Sequence, residues 1–257
     1  MYFTFALEQF ELFVLILIRL ASFVFAAPFF NMANVPRKVK AGFALCLTVL
    51  VYSLFPDMTV EYNGMIDYAI IVVEEMIVGI LLGAVTSFCV QIIMFAGKII
   101  DMDIGISMAQ LYDPTTRMQV GIMGNFYYYM MMLLLIISGM HQYLVAAIVE
   151  TYKVIPIGGV KFGAGIYTAI ISFMSNFFVL GFRIALPVFS AILMLNCVLA
   201  ILAKVSPQMN MFVVGMQLKI FVGIFVILFT ISMLPSVSDF ILDEIERLFA
   251  MLVRGMS

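Results

Sequence analysis

"LAKVSPQMNMF", residues 202–212, separates two long apolar runs with a lysine, a proline, a glutamine and an asparagine. A helix entering this stretch must stop near Pro207, because proline carries no amide proton and disfavours αR geometry at the residue before it. What flanks the break decides the fold. Of 257 residues 65% are apolar and only 11% are charged, whereas soluble domains carry about 25% charged residues. A bilayer's hydrocarbon core of about 30 Å needs about 20 helical residues, and the runs are too long for barrel strands.

The pattern therefore predicts an all-α integral membrane protein of about six long, partly kinked hydrophobic helical elements. They fall near 12–35, 41–56, 68–97, 118–149, 162–203 and 211–234, the fifth bent near Pro187. One membrane-embedded helical domain covers 1–257. Short connectors carry the turn chemistry: "NMANVPRKVK", "PDMTVEYNG", "KVIPIGGVKFG" and "KVSPQMN". Glu8 and Glu11 precede the first run, which is longer than a typical signal h-region, so no cleavable signal is expected. Arg37, Lys38 and Lys40 share one connector while Asp57, Glu61 and Asp67 occupy the next. The positive-inside rule then puts Lys98, Arg117 and Lys204 on the cytoplasmic side.

Composition also narrows the function. The net charge of -2 is spread along the chain, which argues against nucleic acid as a partner. Cys46, Cys89 and Cys197 lie in apolar runs without metal-ligand spacing and read as small buried hydrophobes; no disulfide, metal site or cofactor is expected. His141, the only histidine, reads as a packed or interfacial residue. The common nucleophile, zinc-protease and phosphate-loop motifs do not occur, so an enzyme is not expected. The run "YYYMMMLLL" at 127–135 concentrates side chains suited to adaptable packing.

Arg19, Glu74, Glu75, Arg183 and Lys219 lie within or beside the apolar runs, and such charges need partners or a route to the interface. Glu74 and Glu75 could instead end a helix at the interface. The charges do not recur at matched positions in two halves, so an inverted-repeat carrier is the weaker reading. The most informative interruption is "AGKIIDMDIGISMAQLYDPTTRMQVG", residues 96–121. Pro114 predicts a turn at Asp113, yet Ile104 to Leu111 is mostly small or apolar. A re-entrant or pore-facing loop fits that mixture.

The ordered pieces "RLASFVFAAPFF", "VPRKVKAGF", "EEMIVGILLG", "GISMAQLYDP", "SGMHQYL", "VIPIG", "RIALPV" and "SPQMNMFVVGMQLKI" together resemble the FliR/type III secretion export-gate family, over about residues 19–235. The resemblance implies a subunit of the bacterial cytoplasmic membrane and flagellar basal body. It would join FliP and FliQ in a ring that exports unfolded flagellar proteins, with FlhB and FlhA as neighbours. Residues 1–165 then correspond to a FliP-like region, and 181–249 to a FliQ-like hairpin whose tip lies on the cytoplasmic side. Partner-binding residues on that hairpin would be Asn196, Lys204, Pro207, Gln208, Met209, Asn210 and Lys219.

The same resemblance implies a channel plug near 105–120. Gly105 would supply backbone freedom, Ile106, Met108 and Leu111 the seal, Asp113 and Pro114 the return turn, and Arg117 the end of the loop. The family commonly has glycine and glutamine where this chain has Asp101 and Asp103. The competing reading from the residues alone is a self-contained multispanning small-solute transporter.

Overall fold

A computed structural model describes residues 2–256 apart from 33, 57, 61, 107–120 and 209. Every regular element among them is a helix, the fold class expected from the apolar runs. The α-helices are α1 Tyr2–Ala26, α2 Arg37–Leu54, α3 Met65–Ile104, α4 Ile122–Ile137, α5 Met140–Val154, α6 Ala164–Val205, α7 Met211–Thr230 and α8 Leu234–Met256, with a 3-10 turn Ile231–Met233 joining the last two.

Among the described residues four apolar stretches are long enough to cross a membrane: Glu8–Ala26, Met65–Ile104, Gly165–Val205 and Phe212–Met256. Ile122–Ile137 and Met140–Val154 make a fifth only if counted together as a broken span. The expected count of six is thus reduced, because α2 opens on Arg37, Lys38 and Lys40 and does not reach the same apolarity.

Several boundaries differ from the sequence expectation. The first helix stops at Ala26, not near 35, because Pro28 pushes Ala27 out of helical geometry. The expected 118–149 run breaks at Ser138–Gly139, where Gly139 takes φ +77°, a left-handed conformation that glycine adopts without a Cβ clash. The third helix continues to Ile104, so Lys98, Asp101 and Asp103 are helical. They are not part of a loop. Helix α3 also passes straight through Glu74 and Glu75, which removes the reading that they end a helix. Helix α6 runs unbroken through Pro187. Of the three cysteines only Cys89 is buried, whereas Cys46 and Cys197 are exposed.

The chain divides into two compact units built from separated stretches. The first comprises Met1–Cys89, Ser138–Phe173 and Asp243–Ser257; the second comprises Val90–Ile137 and Met174–Leu242. In the first unit, Leu15, Ile16, Leu20 and Phe23 of α1 are fully buried. Helix α1 lies tight against α3 through small residues four apart: a Cβ on Gly79 would stand 2.3 Å from the Arg19 carbonyl oxygen, one on Gly83 would stand 2.6 Å from Ala26 Cβ, and Ser87 Oγ donates to the Ala26 carbonyl at 2.6 Å. Such small-xxx-small stripes let helix backbones approach where lipid offers no hydrophobic drive for association. The end of α8 closes this unit, since Lys161 and Gly163 donate backbone hydrogen bonds to the Met256 and Gly255 carbonyls at 3.0 and 3.2 Å.

Candidate functional site

Two polar constellations interrupt the apolar packing. The first lies in the first unit around Arg19. Its guanidinium is fully buried, as is Glu75, and the two form a bidentate pair: Nε and Nη2 donate to the two carboxylate oxygens, the latter at 2.9 Å. Nη1 donates to the Ile155 carbonyl at 3.1 Å and the Thr151 hydroxyl at 3.4 Å, and the guanidinium carbon stands 4.4 Å from the Tyr152 ring centroid. Gly158 N donates to Glu75 at 3.3 Å. The expectation that some intramembrane charges are paired is met here. A fork-shaped guanidinium on a carboxylate supplies both charge balance and direction, so this cluster ties α1, α3, α5 and the "VIPIGG" connector together.

The second constellation lies in the second unit, at the roots of the 106–120 stretch. Asp101, 2% exposed, accepts hydrogen bonds from the backbone amides of Met123 at 3.0 Å and Gly124 at 3.2 Å. These are first-turn donors of α4 with no partner inside their own helix. Asp101 therefore caps α4 from α3, with its negative charge at the helix N-terminus. The approach is close: a Cβ on Gly97 would stand 2.2 Å from Gly124 Cα, and one on Gly121 would stand 2.7 Å from Asp101 Oδ2. The chain leaves α3 through Gly105 at φ +88° and returns at Gly121 beside the same aspartate. The intervening segment therefore starts one helical turn beyond Asp101 and ends beside it.

Beside this staple is a notch of about 210 Å³ lined by Asp103, Gly105, Asn196, Leu199, Phe212 and Lys219, among others. Among the described residues Asp103 Oδ2 is buried there without a hydrogen-bond partner, and the charge acting on that carboxylate is that of Lys219. The structure thus brings Gly105, Asn196 and Lys219, which the sequence assigned to two different roles, into one wall. Ile106 is half-buried. Lys204, Pro207, Gln208 and Asn210 are exposed together at the turn between α6 and α7. Met108, Leu111, Asp113, Pro114, Arg117 and Met209 lie outside the described residues. Among the described residues no group of His, Cys, Asp and Glu could hold a metal ion.

The sequence matches known proteins over nearly the whole chain. Residues 10–245 match the model of the family described as bacterial export proteins, family 1. The chain belongs to this family. It is 27% identical over 235 residues to the flagellar biosynthetic protein FliR of Escherichia coli (strain K12), covering 91% of this chain and 89% of that protein. It is 29% identical over 234 residues to FliR of Bacillus subtilis (strain 168), with 89% of each covered. The FliR of Aquifex aeolicus (strain VF5) is 25% identical over 216 residues, with 84% and 83% covered. As a member of a bacterial export family with several membrane-length apolar helices, the chain is a multi-pass component of an export apparatus, a transport or structural part.

Within this export-family chain, sequence reasoning passed over the Asp101 cap and the Gly79–Gly83–Ser87 stripe. The stripe carried a readable signal in its spacing of four. The cap carried none, because an aspartate does not reveal which distant amides it will meet.

Proposed function

We propose that the chain is a core subunit of the flagellar protein export gate, forming with FliP and FliQ the channel through which unfolded flagellar proteins leave the cell. Residues near 105–120 act as its pore-facing plug. The observation that carries this reading is the staple at Asp101, which holds the start of α4 against the last turns of α3 and so brings the chain back beside the point where it leaves α3; the sequence from Ile104 to Leu111 is mostly small and apolar. A channel wide enough for an unfolded chain must exclude ions when idle, and apolar side chains can do so by dewetting. The family match supports a channel subunit over a self-contained small-solute carrier.

The FliQ-like hairpin, 181–249, packs in this reading against FliQ-type neighbours, and its tip, Ser206 to Asn210, meets FlhB on the cytoplasmic side. FlhA is a further neighbour. The site of action is the bacterial cytoplasmic membrane within the flagellar basal body. Large apolar side chains exposed on both arms, including Leu186, Leu193, Met194, Phe221 and Leu228, fit protein partners as well as lipid.

Shortening 107–118 while keeping Asp101 and Gly121 tests the plug. Resting cells should admit a small dye or ions while the complex with FliP and FliQ is still recovered. An assembled complex that does not leak would sink the plug; loss of assembly without leak would make the loop a brace.

A further inference from the structure

Arg183 lies within α6 and is exposed, and it forms no hydrogen bond or ion pair among the described residues. Its depth can be worked out. Between Arg183 and Lys204 stand twenty uncharged residues, 184–203, which at about 1.5 Å each cover about 30 Å, one hydrocarbon thickness. The stretch before Arg183, 164–182, is equally uncharged, so α6 alone does not decide which half is immersed. Helix α7 does. It runs back along α6, with Gly215 against Leu199, and its apolar run ends in the turn Ile231–Met233 just where Thr230, Met233 and Ser236 share a cavity with Arg183. Ser232, Ser236 and Asp239 follow. The apolar run of α7 thus ends at the level of Arg183, which puts Arg183 at a membrane–water boundary and Lys204 at the opposite one.

The cavity has a volume of about 280 Å³, and its wall includes Leu180, Ile184, Pro187, Val237, Phe240 and Ile241. The hydroxyls of Tyr127 and Thr230 bond each other at 3.0 Å, and Ser236 donates to the Met233 carbonyl at 3.1 Å. Only the guanidinium still calls for a partner. A cation at headgroup depth beside a hydrocarbon slot matches an amphiphile with a phosphate and an acyl chain. A carboxylate from a partner protein would answer the charge and leave the slot empty. We propose that Arg183 and this cavity bind an anionic phospholipid, its phosphate on the guanidinium and one acyl chain between α6 and α8.

The full chain, purified in neutral detergent with the subunits that accompany it, is stripped of lipid and titrated with phosphatidylglycerol or phosphatidylcholine, retention being read by native mass spectrometry. The wild type should hold phosphatidylglycerol about tenfold more tightly than phosphatidylcholine. Arg183→Gln should lose that preference and Arg183→Lys keep most of it. Val237→Trp, which fills the slot and leaves Arg183 in place, should weaken retention of both lipids. Equal retention of phosphatidylglycerol by the wild type and Arg183→Gln overturns the proposal. So does a wild type that retains no lipid while a photo-crosslinker at position 183 captures a protein segment in membranes. The readout is lipid, so it stands or falls separately from export activity.

Discussion

Replacing Glu75 by glutamine leaves the Arg19 guanidinium fully buried with no counter-charge. Breaking a buried pair in this way destabilises by about 3 to 5 kcal/mol, which lowers the folded-to-unfolded ratio by about two to three and a half orders of magnitude. Arg19→Met should fall in the same range, since it strands the carboxylate. The double variant Arg19→Met with Glu75→Leu strands no charge. It does leave the Ile155 carbonyl and the Gly158 amide without the partners they have now, at about 1 to 3 kcal/mol each, the exposed-side amide at the lower end. The single changes should therefore sum to about 6 to 10 kcal/mol while the double change costs about 2 to 5. Reversible unfolding in mixed micelles, read by the loss of helical circular dichroism, measures all three. Coupling below about 1 kcal/mol would refute the claim that the two charges act as one unit.

Gly79→Leu should abolish folded yield, because its Cβ has no room beside the Arg19 carbonyl, whereas Gly42→Ala, with nothing within 4 Å, should be silent; detergent-soluble monodisperse protein is the measure. Asp101→Ala should weaken the start of α4 by about 1 to 2 kcal/mol, seen as faster amide exchange at Met123 to Phe126, with Asp101→Asn intermediate. Cysteines placed at Gln208 and Asn210 should crosslink to another export-gate subunit in intact membranes, and failure at every position along the hairpin would remove its proposed partner.

The membrane-helical class was legible because a chain this apolar has few other ways to satisfy its backbone. The stop at the Pro207 turn was marked by chemistry that acts locally, whereas the same kind of mark at Ala27–Pro28 was passed over and the first run was extended to near 35. The break at Gly139 was hidden, since a glycine in an apolar run reads the same whether it turns the chain or, like Gly79, lets another helix approach. Lys98, Asp101 and Asp103 looked like a loop because charge in sequence says nothing about the amides that will receive it. The Arg19–Glu75 pair joins positions 56 apart, so each could be flagged as needing a partner without the partner being named. The notch at Gly105, Asn196 and Lys219 depends on tertiary packing and had no local mark.

The assembly of the first unit from three separated stretches sets an order of events during synthesis. Residues 243–256 are made later than every other part of that unit. At about 5 to 20 residues per second, the 154 residues from Cys89 to Asp243 take roughly 8 to 30 s. Throughout that interval α1, α2 and the part of α3 up to Cys89 wait without Ile245, Leu248 and Leu252, which are buried in the finished unit, and Lys161 and Gly163, once made, wait for their carbonyl acceptors. The nascent chain thus passes through a window in which its earliest helices are inserted yet still open, and a chaperone or an assembling subunit has roughly 8 to 30 s to reach them before the unit shuts.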